Sequence, residues 1–140
     1  EGGVVRARKF AEKFYADVAI VDKRRPKAGV AEVMNLIGDV KNKHAIMVDD
    51  IVDSGGTLCN AADAILKSGA LSVRAYITHG VLSNGADKKI SNSSLEELVI
   101  SDSIPYKGSS KKVRQVTVSN LFGEAMRRIT NEESVSSLFK

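Results

Sequence analysis

The sequence predicts an α/β domain with a mostly parallel sheet flanked by helices. Short apolar runs bounded by charge alternate with longer runs whose apolar residues recur at helical spacing, which is the pattern of right-handed βαβ units. The chain has 140 residues, of which 43% are hydrophobic and 27% charged, as is usual for globular proteins. No low-complexity linker or internal repeat divides it, so we expect residues 1–140 to form a single domain.

The amino-terminal part is predicted to form a helix and then a strand. Over residues 4–15 the apolar side chains are spaced as on one face of a helix, and the glycine pair at residues 2–3 marks its start. Residues 17–22, DVAIVD, are a short apolar run bounded by charge, which predicts a buried strand. Pro26 and Gly29 follow it, so a loop is expected there.

The middle of the chain is predicted to contain two strands and a helix. Residues 33–40 favour a strand or an edge segment, and residues 45–48 favour a buried strand. Residues 57–67 carry apolar side chains on one side, which predicts a helix. Gly69 is suited to end that helix, because glycine readily adopts the left-handed conformation found after helices.

The carboxy-terminal part continues the alternation of strands and helices. Residues 71–78 and 98–101 predict strands, with a short helix over residues 87–90 between them. Residues 116–118 predict a last short strand. Ser119 is then expected to cap a final helix of about three turns.

Composition excludes several classes of function. Cys59 is the only cysteine, so no internal disulfide can form, and a reducing, cytoplasmic setting is expected. His44 and His79 have no ligand-like neighbours at the usual spacings, so no metal site is expected. No apolar run approaches the roughly 18 residues that span a bilayer. The net charge of +4 is scattered or held in short loops. We therefore expect neither a membrane nor a nucleic-acid partner.

The main functional signal lies in residues 46–58, IMVDDIVDSGGTL. This segment runs from an apolar strand through three carboxylates to two glycines, at a place where a strand should turn into a helix. Ligands of open parallel sheets bind at this edge. The main-chain N–H groups of Ser54 to Thr57 are expected at a helix N-terminus, where unpaired donors and the helix dipole favour an anion. Gly55 and Gly56 would let the main chain approach that anion closely.

The carboxylates of the same segment indicate the rest of the ligand. Acids beside a phosphate repel it unless they face another part of the molecule, and ionised Asp accepts hydrogen bonds from hydroxyls. A sugar phosphate meets both requirements, with its hydroxyls on Asp49 and Asp50 and its phosphate on residues 53–57, which we call the glycine turn. The chain has neither a GxxxxGK[ST] motif nor a GxGxxG motif after a strand. A tight turn with an acidic cap is the alternative without a ligand.

The same residues resemble a known family. VDDIVDSGGTL, residues 48–58, is similar to the phosphoribosyl diphosphate fingerprint of the type I phosphoribosyltransferase fold. The cationic loop DKRRPK of residues 22–27, with THGVLS, SNSSLEELVISDSIP and the ending EESVSSLF, resembles the ribose-phosphate pyrophosphokinase family over essentially the whole chain. This resemblance implies that residues 1–140 are the carboxy-terminal domain of a longer, two-domain enzyme.

The resemblance also implies a reaction and a set of site residues. The anomeric hydroxyl of ribose 5-phosphate would attack the β-phosphorus of Mg-ATP, giving phosphoribosyl diphosphate and AMP, with Mg²⁺ entering on ATP. Lys23 and Arg25 match the catalytic loop, and Arg25 would also contact ribose 5-phosphate. The other substrate-binding matches are Asp49 and Asp50 for the ribose hydroxyls, and Asp53, Ser54, Gly55, Gly56 and Thr57 for the 5-phosphate.

Further matches concern the diphosphate group and regulation. Gly2 and Gly3 match the end of a loop that receives the diphosphate. Members activated by phosphate and inhibited by ADP have a regulatory site at a subunit contact, and the family forms hexamers built from dimers. The matches to that regulatory segment are Ser134, Val135, Ser136 and Phe139. The family's catalytic His, its metal-associated Asp and most of its adenine pocket have no match here, so the chain alone is expected to be inactive.

Two other functions fit the same fold. A phosphoribosyltransferase would bind a nucleobase without using ATP, and the cationic loop of residues 22–27 argues against it. A regulatory homologue or transcription factor would keep the fold to sense the ligand without catalysis. The presence of both Lys23 and Arg25 disfavours that class, because a protein that only binds the ligand does not need the transfer loop.

Overall fold

A four-stranded parallel sheet is the centre of the computed structural model, which describes residues 2–24, 33–83 and 85–139. The strands are ordered β3-β4-β5-β6 across the sheet, and each neighbouring pair is parallel. The predicted α/β class, with a mostly parallel sheet flanked by helices, is therefore confirmed. The elements in chain order are α1 (Gly2–Phe14), β1 (Ile20–Arg24), β2 (Val33–Ile37), β3 (His44–Val52), α2 (Gly56–Lys67), β4 (Ser72–Gly80), α3 (Ala86–Asn92), β5 (Glu97–Ser101), β6 (Val113–Val116), α4 (Ser119–Thr130) and a 3-10 helix (Ser136–Phe139).

The first two strands form a sheet of their own. β1 and β2 pair antiparallel, with the register running from Ile20↔Ile37 to Arg24↔Val33. This hairpin packs against the core through Val21 and its partner Leu36. A short apolar run is compatible with either a parallel or an antiparallel strand, so the sequence pattern did not reveal this separation.

β3 is longer than predicted, which changes the setting of two predicted site residues. Its pairing with β4 continues from His44↔Ser72 to Val52↔Gly80. Asp49 and Asp50 therefore lie inside the strand rather than after it. Both residues are exposed, and β3 is an edge strand of the sheet.

Other predicted bounds also shift. The last strand is β6 rather than residues 116–118, because Val113 already pairs with β5. Ser119 does not cap α4 as predicted: it is the first helical residue, Val118 is the N-cap, and no side chain makes a cap bond. Gly69 follows α2 with a φ of 97°, which confirms its predicted place at the helix end.

The core lies between the sheet and the helices α2 and α3. Alternate residues of β4 point into it, and Val73 and Ala75 are fully buried. Ala62 of α2 and Ile90 of α3 meet them with no exposed surface. α1 lies against β3. The starts of α1 and α2 are thereby brought to the carboxyl end of β3.

Candidate functional site

The glycine turn leads from β3 directly into α2. β3 ends at Val52 and α2 begins at Gly56. Gly55 has a φ of 74° and a ψ of −7°, a left-handed conformation that glycine adopts with little strain. No backbone carbonyl of the described residues accepts a hydrogen bond from the N–H groups of residues 54–57. A helix N-terminus with free donors therefore lies where the sequence predicted an anion site.

The glycine turn shares a cavity of about 500 Å³ with one of the two acids of β3 and with the start of α1. Apolar side chains such as Met47 and Leu58 form much of the remaining wall. Asp50 and Gly56 are not among the lining residues. The predicted site residues that line the cavity are Gly3, Asp49, Asp53, Ser54, Gly55 and Thr57.

Arg6 of α1 joins the two acids of β3. Its Nη2 donates to Oδ2 of Asp50 at 3.3 Å, and its Nη1 lies 3.7 Å from Oδ1 of Asp49. The main-chain N–H of Asp50 also donates to Oδ1 of Asp49 at 2.9 Å. The pKa of the Asp50 carboxyl is lowered, mainly by hydrogen bonding with the Asp49 side chain and further by the Arg6 charge. Asp50 therefore stays ionised at neutral pH and offers acceptor oxygens to hydroxyl groups.

Sequence reasoning missed three side chains that contact the site. Arg6 is 44 positions from Asp50, and no local pattern links the two. Ser83 donates to Asp53, and Lys89 donates to the carbonyl oxygen of Ser54. Their proximity could have been anticipated in part, because the segments that follow neighbouring parallel strands meet at one edge of the sheet.

The other matched residues belong to the diphosphate loop and the catalytic loop. Gly2 is the first residue of α1. Lys23 lies in β1 and pairs with Met34. Arg25 lies outside the described residues. Within the described part of the chain, the ribose and phosphate matches lie together at the end of β3.

The residues matched to a regulatory segment lie beyond α4, apart from the cavity. The hydroxyls of Ser134 and Ser136 are 2.8 Å apart, and the carbonyl of Ser134 accepts a hydrogen bond from Arg128 at 3.1 Å. The carbonyl of Val135 accepts one from the N–H of Leu138 at 3.0 Å. Phe139 is 79% exposed. None of these residues lines the cavity.

The described residues contain neither a cluster of metal ligands nor a helix that could span a membrane. No group of three or more His, Cys, Asp or Glu side chains in residues 2–24, 33–83 and 85–139 is arranged to hold a metal ion. In the same ranges, no helix combines the length and the apolar character that crossing a membrane requires.

Comparison with known proteins identifies enzymes that are similar to the chain. It is 58% identical over 141 residues to a ribose-phosphate pyrophosphokinase of Maricaulis maris, and the match covers 99% of this chain and 46% of that protein. It is 60% identical over 141 residues to the ribose-phosphate pyrophosphokinase of Mesorhizobium japonicum, with coverage of 99% and 45%. The chain thus spans about half the length of the curated relatives it matches.

A solved structure and a family model agree with these relatives. The crystal structure of phosphoribosylpyrophosphate synthetase from Mycobacterium smegmatis superposes with a TM-score of 0.84 at 26% identity, covering 94% of this chain and 43% of that one. The family model described as the phosphoribosyl synthetase-associated domain matches residues 8–140. With more than half of its length matched, the chain belongs to the phosphoribosyl synthetase-associated domain family.

Proposed function

We propose that the chain is the carboxy-terminal domain of a ribose-phosphate diphosphokinase that serves nucleotide biosynthesis. The enzyme would transfer the β,γ-diphosphoryl group of Mg-ATP to the 1-hydroxyl of ribose 5-phosphate. The hydroxyl oxygen attacks the β-phosphorus and loses its proton, and the bond from that phosphorus to the oxygen bridging the α- and β-phosphates breaks. The products are phosphoribosyl diphosphate and AMP.

The observation that carries this proposal is the pairing of two binding chemistries at the end of β3. Free main-chain N–H groups at residues 54–57 suit a phosphate, while Asp49 and Asp50 suit sugar hydroxyls. Asp49 lines the same cavity as the glycine turn. A phosphorylated pentose can use both sets of groups at once, whereas a free phosphate or a free sugar can use only one. The names of the close relatives agree with this substrate.

The matched residues would then have different roles in the reaction. Asp49 and Asp50 orient the ribose, and the glycine turn anchors the 5-phosphate. Lys23 and Arg25 stabilise negative charge on the group in transfer, which is the main demand of phosphoryl chemistry. Gly2 and Gly3 would receive the diphosphate at the start of α1, where helical N–H groups are unpaired.

Mg²⁺ would enter on ATP and neutralise charge on its phosphates. Protein sites for Mg²⁺ commonly supply one or two carboxylates, with substrate phosphates and waters completing the shell. The described residues contain no cluster of three metal ligands, and Asp49 and Asp50 are assigned to the ribose and paired with Arg6, so phosphate oxygens and waters would supply most of the Mg²⁺ ligands.

We also propose the partners and setting that the family resemblance implies. The chain would act in the cytoplasm within a hexamer built from dimers, with ATP and ribose 5-phosphate as substrates. Ser134, Val135, Ser136 and Phe139 would contribute to a regulatory anion site at a subunit contact. An exposed apolar face on α4 supports self-association.

Replacing Asp50 tests the ribose-binding half of the proposal. Asp50→Asn keeps the shape of the side chain but removes the charged acceptor and the ion pair with Arg6. We expect the Kd for ribose 5-phosphate to rise by about tenfold or more, because hydrogen bonds to charged groups contribute roughly 1.5–3 kcal/mol. Calorimetric titration with ribose 5-phosphate measures this Kd. Asp102→Asn, at a carboxylate that accepts a bond from Val118 rather than from Arg6, is the control, and equal affinity in wild type and Asp50→Asn would contradict the assignment.

Replacing Lys23 tests the transfer step. In the protein that contains this domain together with its amino-terminal half, Lys23→Ala should lower kcat for AMP formation by roughly 10²- to 10³-fold, with little change in the KM for ribose 5-phosphate. Lys111→Ala, which removes an exposed lysine elsewhere, should leave kcat unchanged. Failure of the wild-type protein to form AMP from ATP and ribose 5-phosphate would instead favour the phosphoribosyltransferase alternative.

A further inference from the structure

The glycine turn is tied to the residues that follow β4. The main-chain N–H groups of Val81 and Leu82 both donate to the carbonyl of Val52, at 2.9 and 3.3 Å. Ser83 then donates its hydroxyl proton to Oδ1 of Asp53. Three consecutive residues are therefore bonded to the two positions at which β3 ends and the glycine turn begins.

The bond from Ser83 holds the Asp53 side chain at the start of the glycine turn. The N-cap of α2 is Gly55, which has no side chain, and no side chain bonds to the first helical N–H groups. Asp53 lies two positions before that N-cap. The N–H groups of the turn are therefore available to an anion. The hydroxyl donor also offsets part of the Asp53 charge, which would otherwise repel a phosphate in the same cavity.

Lys89 acts on the next peptide unit of the turn. Its Nζ donates to the carbonyl oxygen of Ser54 at 3.3 Å. That oxygen belongs to the same peptide unit as the N–H of Gly55, so a charged donor on it polarises the unit and makes the N–H a stronger donor. The ammonium also adds a positive charge beside the positive end of the α2 dipole. Both effects favour binding of an anion.

Packing keeps α3, which carries Lys89, in a fixed place behind the turn. Ala86 and Ile90 of α3 are completely buried. A Cβ added at Gly55 would lie 3.6 Å from Ile90 and 3.8 Å from Ala86, which is ordinary van der Waals contact. The back of the turn therefore rests directly on α3.

The geometry points to Ser83 and Lys89 as positioning residues that set the affinity of the glycine turn for a phosphate group. This role rests on the proposed ribose 5-phosphate site. Ser83 ties Asp53, the first residue of the turn, to the segment after β4, and Lys89 makes the N–H of Gly55 a stronger donor. Both act through the turn and not on the reacting atoms.

The first test measures the turn itself in the protein without ligand. NMR order parameters of the amides of residues 54–57 are compared in wild type, Ser83→Ala and Lys89→Met. We expect them to fall from about 0.85, typical of rigid backbone, toward 0.6 in both variants. Lys88→Met removes the same charge from the adjacent position of α3, which has no described hydrogen bond, and it should leave the values unchanged.

The second test measures phosphate recognition. In the protein that contains this chain, Ser83→Ala and Lys89→Met should raise the Kd for ribose 5-phosphate about tenfold, the effect of one lost hydrogen bond of this kind. The KM for ATP and the Tm should stay near their wild-type values. Ser83→Thr and Lys89→Arg keep the donors and should restore most of the affinity, while Lys88→Met should bind as wild type does.

The outcomes separate this inference from the proposed function. Unchanged order parameters in Ser83→Ala and Lys89→Met, or equal changes in Lys88→Met, overturn the positioning role. Changed order parameters with unchanged affinity overturn the claim that the two residues set phosphate binding. If wild type itself does not bind ribose 5-phosphate, the proposed function fails, and the order parameters alone decide whether Ser83 and Lys89 position the turn.

Discussion

Gly55 is the residue on whose backbone conformation the candidate site most depends. Its φ of 74° is costly for a residue with a Cβ, by about 1–2 kcal/mol. Gly55→Ala should therefore lower the free energy of unfolding by about that amount and weaken anion binding at the turn. Urea unfolding and titration with ribose 5-phosphate measure the two effects.

Gly123 provides a matched control for that substitution. It lies in α4, and an added Cβ there would have no atom within 4 Å. Gly123→Ala should raise the free energy of unfolding by up to about 1 kcal/mol, because alanine is favoured over glycine in helices. Equal effects of the two substitutions would show that the left-handed conformation at Gly55 carries no strain for alanine.

Tyr106 and Asp87 form the other notable polar contact near this edge of the sheet. The Tyr106 hydroxyl donates to Asp87, which also accepts from the N–H groups of Ser109 and Ser110 at 3.2 Å each. Burial, and then the bond to Asp87, raises the pKa of Tyr106 to about 12. The same bond is the main cause that lowers the pKa of Asp87. The pair anchors the start of α3 to the segment after β5.

The stability that Tyr106 contributes should depend on alkaline pH. Its pKa is about 10 when unfolded and about 12 when folded, so the protonated form is favoured in the fold. The contribution is complete below pH 10 and is lost as the pH rises from 10 through 12. The difference in unfolding free energy between wild type and Tyr106→Phe should shrink over that range. A difference that is constant from pH 8 to 12 would contradict the raised pKa.

Among the elements, α4 differs from the other long helices because none of its residues is buried. One side is polar and internally paired: Glu124 bonds to both Arg127 and Arg128, which lowers its pKa to about 2. The opposite side is apolar and open. Its large exposed side chains are Leu121, Phe122, Met126 and Ile129. A helix of this length is marginal in water unless its apolar face is packed against a partner.

We expect that face to mediate contact between copies of the chain. Phe122 is 56% exposed in the first part of α4, where an acidic residue is compatible with the helix dipole. Phe122→Asp should lower the molar mass observed by sedimentation without a large change in Tm. Asn120→Asp places the same charge one position before the apolar face begins and should keep the wild-type mass. An unchanged mass in Phe122→Asp would place the contact elsewhere.

The elements were predictable where local pattern and packing agree. The helical spacing that predicted α2 is the same spacing that buries Ala61 and Ile65. The predicted end of β3 was wrong because two charged residues, Asp49 and Asp50, suggested that the strand ends before them. Pairing with β4 continues past both. The start of β6 was missed for the same reason, since Val113 is fixed by its partner Leu98. Strand ends depend on pairing, which a local window of sequence does not contain.

At the scale of the whole molecule, one part of the candidate site is predictable from local sequence and the other part is not. The stretch from Asp49 to Thr57 is continuous in sequence, so its acids, glycines and helix start could be predicted together. The contacts that hold it come from distant segments: Ser83 is 30 positions from Asp53, and Arg6 is 44 positions from Asp50. Such contacts arise only when the sheet brings the carboxyl ends of its strands to one edge.

Two helices begin at the same cavity, since Gly3 and Val4 of α1 line it along with Gly55 and Thr57. A ligand with an anionic group at each end could therefore bridge the N-termini of α1 and α2. Once one anionic group is bound, the other is held near the second helix at a high effective concentration, so two weak interactions together give strong binding. Such a ligand would link α1 to the sheet, and it would raise the Tm more than two separate anions would.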